Sequence, residues 1–430
     1  MRQPRATSKI ISNMKKFLTA IICLQCLLLD AAQKNPELKL SREASVEFAL
    51  KNNLDLKAVK AGIDAARGRA SQSGRLDNPV VGAEYGNDML FSDEGEYSAR
   101  VEISQRFPLF GRLAKEKKIG NLDIKLAALE YEEARRQLAL QVETAYIDAA
   151  EKYAAAAAKR EILRASDKLA AALKDASGKA EISQLEAGRA QSESAKLKIE
   201  IMRDDVEAAT ALARLKNLLG LDSETQIKLA DKLSEIPISP KEFSPDVLES
   251  RPDWLMFSLA AENANAQIAL AKAGRFEDIE VGLFFEANTS IDEPVGKSRE
   301  KALGLSVSVP LPLNSFDGTI NEKLALRRQA QIRSASKENQ IRSEIYVYRM
   351  RARKYSKILK SYKSEVENPN KDIYTQYIAA RKNAQADISE VFGAWQTNLQ
   401  LKLIRISITA EQARNSVSLK YALGVNKNEK

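Results

Sequence analysis

Apolar and polar residues alternate strictly along one stretch, with Tyr97, Ala99, Val101 and Ile103 on one side and Ser98, Arg100, Glu102 and Ser104 on the other. A period of two marks a strand with one greasy and one wet face. Directly after it the pattern changes. From Arg112 to Ala176 there is no proline and a single glycine, Gly120, and the filling is Ala, Leu, Glu, Lys and Arg, the strongest helix formers. At ~1.5 Å per residue this predicts a rod of roughly 100 Å, far beyond an ordinary globular helix. The rod breaks at Ser177 and Gly178 and returns through Ile182, Leu185, Leu197, Ile201, Ala208, Leu212, Leu215 and Leu219. From Ile201 onward the apolar intervals alternate sevens, fours and threes, one narrow seam as in a coiled coil. Gly220 then stands where a helix C-cap glycine belongs.

Ahead of the strand, Val46, Leu50, Leu54, Ile63 and Ala66 predict a helix over 40–75. A first strand, 79–87, faces the second, 97–107, across the polar loop 88–96, which makes a hairpin with a loop longer than a tight turn. After the rods, Pro237, Pro240, Pro245 and Pro252 exclude a continuous helix, and 221–253 reads as a connector with short pieces of structure. The order then begins again: helix 255–273, strand 278–287, polar loop 288–301, strand 302–311, a rod from 315 to about 382, and a return to 423 closed by Gly424. In the last strand Leu303, Leu305, Val307 and Val309 face one way, and Gly304, Ser306 and Ser308 the other.

Landmarks recur between the halves: Gly82 as Gly282, Pro108 as Pro310, Tyr146 as Tyr348, Ile182-Ser183 as Ile388-Ser389, and Gly220 as Gly424, at offsets of 200 to 206. Such a small drift is what a tandem duplication with short indels leaves. Chance likeness between two alanine-rich helices would not also reproduce the hairpins and terminal glycines. The expected organisation is a first repeat over 33–220 (hairpin 79–107, helical hairpin 112–219), the connector 221–253, and a second repeat over 254–424 (hairpin 278–311, helical hairpin 315–423), with a tail at 425–430.

The first 32 residues read as a secretory signal peptide. Lys15 and Lys16 precede a short apolar run, Phe17 to Leu29, which ends near the small residues Ala31 and Ala32. The run is too short to cross a bilayer, and translation could equally start at Met14. Both cysteines, Cys23 and Cys26, lie within it, so the mature chain would need no disulfides outside the cytoplasm. The rival use of these cysteines is lipidation, but Ile22 and Gln25 before them are not the small residues that a lipoprotein signal prefers.

The net charge is +9, from 67 Lys and Arg against 58 Asp and Glu, and the two signs are interspersed, which speaks against a nucleic-acid partner. One basic run, 342–363, holds eight Lys or Arg against the single acid Glu344 and reads as a solvated helix face. The chain has no histidine. That removes histidine acid–base catalysis, Ser-His-Asp triads and most catalytic zinc sites. Gly296-Lys297-Ser298 has the end of a phosphate loop without its first glycine, Ile291 standing there, and precedes a strand rather than a helix. No catalytic, cofactor or metal residues are assigned, and the chain reads as no enzyme.

Four two-faced strands per chain are each about as long as a tilted barrel strand that crosses a bilayer. Four cannot close a barrel, and open edges are not tolerated in lipid, so copies must pool their strands. Two chains would give eight strands and a filled interior; three would give twelve and a lumen. The wet faces would line water and the rods would continue the duct. The alanine run 154–158 suits either close approach of neighbouring helices or a plain exposed helix.

Ser104-Gln105-Arg106-Phe107-Pro108-Leu109-Phe110-Gly111-Arg112 at the strand-to-helix junction resembles that of the outer-membrane efflux protein family, the TolC type. Val309-Pro310-Leu311-Pro312-Leu313 is similar in the second half, as are Gly178, Ile182-Ser183 and Leu185 at the first rod tip, and Asn368-Pro369, which should kink the second rod. The resemblance covers about 41–425. It implies a mainly α protein with a small β part, a duplicated unit of helix, β-hairpin and long helical hairpin, and a homotrimer whose 12-stranded outer-membrane β-barrel continues as a periplasmic α-helical barrel. The implied partners are outer-membrane lipid, a periplasmic adaptor that docks at the rod tips, and an inner-membrane pump. The junction is most similar to the branch that serves resistance-nodulation-division pumps for cobalt, zinc and cadmium. The same fold also serves as an exit duct for type I protein secretion, and a coiled-coil surface stalk without a channel is the reading outside the family.

The residues that follow from the resemblance are the adaptor-docking tips Gly178, Ile182, Ser183, Leu185, Asn383, Ile388 and Ser389, and the junctions Pro108, Gly111 and Pro310. Asn383 stands near where the family's second tip has a glycine. Glu181 and Asp387 are candidate pore-gate residues, since in a trimer each would form a ring of three carboxylates able to favour cations and hold a pore shut.

Overall fold

The protein is described by a computed structural model over residues 38–90, 94–178, 184–237, 242–292, 294, 296–311, 317–369 and 388–424. The signal segment, the tail, and the tip residues Glu181, Ile182, Ser183, Asn383 and Asp387 lie outside the described residues.

The chain opens with a short strand β1 (Leu38–Leu40) and two helices, α1 (Arg42–Asn52) and α2 (Leu54–Gln72). A hairpin follows, β2 (Val80–Asn87) and β3 (Tyr97–Phe107), then the long rod α3 (Arg112–Gly178) and its return α4 (Gln184–Leu219). After β4 (Ile227–Leu229) the order repeats, with α5 (Pro245–Glu249), α6 (Pro252–Ala273), β5 (Ile279–Asp292), β6 (Gly296–Ser308), α7 (Asp317–Ser361) and α8 (Ile388–Ala422). The rod α3 contains 67 residues, about 100 Å of helix, and it packs against α1, α2, α4, α6 and α8. At Gly120, its interior glycine, α2 comes close, and an added Cβ would stand 3.1 Å from Ala70.

The core lies partway along the rods. Leu138, Val142 and Tyr146 of α3 close on Leu215 and Leu219 of α4, Ala49, Leu56, and the two small strands through Leu40 and Ile227. The Tyr146 hydroxyl donates to the Leu40 carbonyl at 3.1 Å and accepts from the Asp231 N–H at 2.9 Å, and so ties the C-terminal ends of both strands of the parallel β1–β4 ladder. The second repeat has its counterpart in Val247, Leu248, Ile341, Ile345, Leu419 and Leu423, with Tyr348 against it. A third cluster joins the repeats: Ala139 and Ile147 of α3 meet Ala410, Ala413, Val417 and Tyr421 of α8. There the buried Glu143 carboxylate takes hydrogen bonds from the Tyr421 hydroxyl at 2.8 Å and Lys420 at 3.0 Å. Burial and that carboxylate push the Tyr421 phenol well above its usual pKa.

Two expectations are corrected. The helix expected over 40–75 is two helices, because the Asn53 side chain accepts from the Leu56 N–H at 2.8 Å and starts a new one. The polar loop expected over 288–301 is strand for most of its length, in β5 and β6. Apart from Ile291 both faces there are polar, so alternation leaves no mark. Within the connector β4 pairs with β1, and the Gln412 amide of α8 both donates to and accepts from the backbone of Ile236, at 2.7 and 3.0 Å.

Two open readings resolve locally. In the alanine run Ala156 and Ala158 are buried, Ala158 beside Ile162, Trp395 and Leu399, so the small residues do admit a neighbouring helix. The basic run on α7 is largely exposed, with Arg342 bonded to Glu338 and Arg349 to Glu242 of the connector. Ahead of Pro369 the rod widens into a π turn, Tyr362–Glu367, in which the Asn368 N–H reaches back to the Lys363 carbonyl. Proline lacks an N–H and crowds the carbonyl four residues before it, and a widened turn relieves that contact. Helix continues through Pro369.

Candidate functional site

The four long strands form one antiparallel sheet in the order β2-β3-β5-β6. Register decides which side chains share a face. Ile103 pairs with Val81 and Leu283, and Leu283 with Leu305; Val101 pairs with Ala83 and Phe285, and Phe285 with Leu303. Every greasy face therefore lies on the same side of the sheet, and that side is uncovered: Val101 is 53% exposed, Leu283 50% and Leu303 73%. A continuous apolar surface of this kind marks contact with lipid or a partner. From Tyr97 to Phe107 the 11 residues of β3 span about 25 Å once tilted as in a barrel, the height of a bilayer's apolar band. Aromatic rings stand at both ends, Tyr85 stacked on Tyr97 at 6.3 Å and Phe110 on Phe276 at 4.5 Å.

The opposite face is polar, and its side chains are bonded to one another across strands. Glu102 is held by Arg100 at 3.0 Å and by the Ser306 hydroxyl at 2.6 Å. Glu280 takes bonds from the Ser104 hydroxyl at 2.7 Å and from Arg106 at 3.3 Å. The Arg100 guanidinium stacks over the Phe284 ring, 4.0 Å from its centre. Glycine makes this possible. A Cβ at Gly282 would collide with the Glu102 carboxylate and the Ser306 hydroxyl, and one at Gly304 with the Phe284 ring. The larger side chains thus lie across glycine neighbours.

At the strand-to-rod junction Pro108 ends β3, and the turn is made by two left-handed residues, Phe110 (φ 54°) and Gly111 (φ 66°). Arg112, the first residue of the rod, clamps Asp278 with two bonds of 2.6 and 2.9 Å, a bidentate pair that ties the base of the first rod to the start of β5. Pro310 follows β6 in the same way.

At the far end of the rods, Gly178 closes α3, Leu185 is exposed as the second residue of α4, and Ile388 and Ser389 open α8. Glu181, Ile182, Ser183, Asn383 and Asp387 lie outside the described residues. Above these ends a groove of about 200 Å³ separates α3, α4 and α8, lined by Ile162, Ser166, Leu197, Phe392 and Trp395. The Arg112–Asp278 clamp and the glycine neighbours were missed by sequence reasoning. The only signals were Arg112 at the end of the junction motif and the glycines within strand patterns.

Among the described residues no helix is long and apolar enough to cross a membrane. Residues 46–221 match the family model described as outer membrane efflux protein. None of the curated proteins matches the chain. Among solved structures, a fit with TM-score 0.71 relates it to CusC at 19% identity, over 89% of this chain and 92% of that one. The CmeC outer membrane channel of Campylobacter jejuni matches with TM-score 0.71 at 16% identity, over 89% and 85%. The open-state MtrE outer membrane channel of Neisseria gonorrhoeae matches with TM-score 0.70 at 16% identity, over 89% and 88%. The chain thus carries the outer membrane efflux signature through its first repeat, and the fold of TolC-type channels across most of its length.

Proposed function

We propose that the protein is the outer-membrane exit duct of a tripartite efflux system. Three copies join their sheets edge to edge into a twelve-stranded barrel, and the rods continue its bore through the periplasm. The observation that carries this reading is a sheet with one face apolar and exposed along its middle, the other polar, and two free edges, β2 and β6, in a single chain. An isolated sheet of this kind has no stable place in lipid, whereas a closed one does. Three copies also give a barrel wide enough to keep a lumen.

The rod tips, with Gly178, Ile182, Ser183, Leu185, Asn383, Ile388 and Ser389, receive the periplasmic adaptor, which brings the inner-membrane pump. Glu181 and Asp387 ring the mouth. The pump selects the cargo, and the likeness to the cobalt, zinc and cadmium branch makes heavy-metal cations the first cargo to test. The deciding experiment is on mature protein purified in detergent. A heat-modifiable oligomer that gives discrete conductance steps in planar bilayers is expected, and a water-soluble monomer that never enters a bilayer overturns the reading.

A further inference from the structure

Lys297, Arg299 and Lys301 occupy alternate positions of β6, so all three point to one side of the sheet. That side is the apolar one, since the same alternation continues into Leu303, Leu305 and Val307. They stand at the end of the strand away from the rods. Arg299 pairs with Thr289, which pairs with Tyr97; Lys301 pairs with Ala287, which pairs with Ala99. The row therefore begins at the level of the Tyr85–Tyr97 stack and runs beyond it. The wet face of the same stretch carries Ser298 and Glu300. Acid and base are thus sorted onto opposite faces, unlike the rods, where they mix. All three cations are exposed, and none is paired with a carboxylate among the described residues.

A solvated loop has no need of such sorting, but a membrane surface does. An aromatic belt marks the boundary between hydrocarbon and headgroups, and cations directly beyond it meet the phosphates. Alternate positions on a strand are about 7 Å apart, so one headgroup with two phosphates can touch neighbouring cations. Arginine grips phosphate through paired donors, while lysine acts as a point charge.

We infer that Lys297, Arg299 and Lys301 form a docking edge for the phosphorylated headgroup of an outer-leaflet glycolipid, whose acyl chains lie on Leu303, Leu305 and Phe285. This rests on the sheet being a membrane wall. The test uses the full chain reconstituted in phosphatidylethanolamine vesicles with bis-phosphorylated lipid A, reading co-purified lipid by native mass spectrometry. Wild type retains lipid A. The K297Q/R299Q/K301Q variant loses at least about ten-fold, as three surface cations should dictate, and the charge-preserving K297R/R299K/K301R variant binds as wild type.

Equal retention by the glutamine variant overturns the inference, as does equal retention of dephosphorylated lipid A or of phosphatidylglycerol. Displacement by an equal concentration of inorganic phosphate assigns the edge to a free anion and overturns the glycolipid. Wild type that never enters the vesicles overturns the membrane wall itself, and the edge with it, which separates the two failures.

Discussion

Asn53 and Arg251 make the same bond in the two repeats. Asn53 Nδ2 donates to the Leu218 carbonyl at 2.9 Å, and Arg251 Nη1 to the Ala422 carbonyl at 3.1 Å. Each carbonyl lies two residues before the left-handed glycine that closes its return helix, Gly220 or Gly424. Carbonyls at a helix C-terminus lack partners within the helix, and here a residue just ahead of another helix supplies one. The second repeat answers with a charge, and that charge is buried: the Arg251 side chain is 2% exposed and bonds Asp253 through Nε at 2.9 Å.

The two replacements should therefore differ in cost. Asn53→Ala removes a helix cap and one bond, about 2 kcal/mol. Arg251→Ala leaves Asp253 short of its main partner in the interior, about 3–5 kcal/mol. Chemical unfolding of detergent-solubilised protein, followed by helical circular dichroism, measures both. Equal losses would mean that the Arg251 pair is no more than another hydrogen bond.

Asp253 gives the acid limb of stability. Burial alone would raise its pKa, but Arg251 and then Lys337, 3.0 Å away, hold it at about 2, below the ordinary 3.8. A depressed folded pKa contributes stability that is full above pH about 4 and is lost as the pH falls toward 2, about 2 kcal/mol in all. Asp253→Asn should flatten the Tm-against-pH curve in that window. A curve parallel to wild type would place the acid sensitivity elsewhere.

The two faces of the sheet should respond differently to the same side chain. Leu283→Arg sets a cation mid-way along the apolar face, costing about 2–4 kcal/mol in lipid, and should abolish insertion into vesicles. Ser306→Arg on the wet face should leave insertion intact and lower the preference for cations in planar bilayers.

Gly304→Val pushes against the Phe284 ring, and overpacking of this kind costs about 1–3 kcal/mol. Loss of the flat Arg100–Phe284 stack should also lower single-channel conductance. A conductance equal to wild type would show that the ring has room to move aside.

Asp387→Asn tests the proposed mouth. Reduced cation preference in a reconstituted channel, with unchanged oligomer, is the expected result. Unchanged selectivity and conductance would leave Asp387 as a solvated carboxylate and remove it from the gate.

Much of the fold was legible because its patterns are long and one-sided. Tyr97–Phe107 appears as a strand with the expected bounds, and the first rod ends at Gly178, beside its expected break. What escaped was local or relational. Asn53 interrupts an apolar rhythm without breaking it, so only its bond to the Leu56 N–H reveals the cap. The three-residue strands β1 and β4 are too short to show a period. Apart from Ile291, the outer parts of β5 and β6 are polar on both faces. That Glu102 lies across Gly282 depends on the register of β3 against β5, which no single stretch of sequence contains.

The widened turn at Tyr362–Glu367 is a matter of phase. A turn that takes in an extra residue sets everything beyond it back by about 100°. The matching tyrosines, Tyr146 and Tyr348, are 202 positions apart, yet Ile182 and Ile388 are 206 apart, so the second rod has surplus length to stow on the way down. Repeats that are interchangeable at the height of the tyrosines are no longer so below the turn. In the proposed ring of three chains, rods that start as six near-equals would finish as two alternating kinds, and whatever grips their ends would be offered three equivalent seats rather than six.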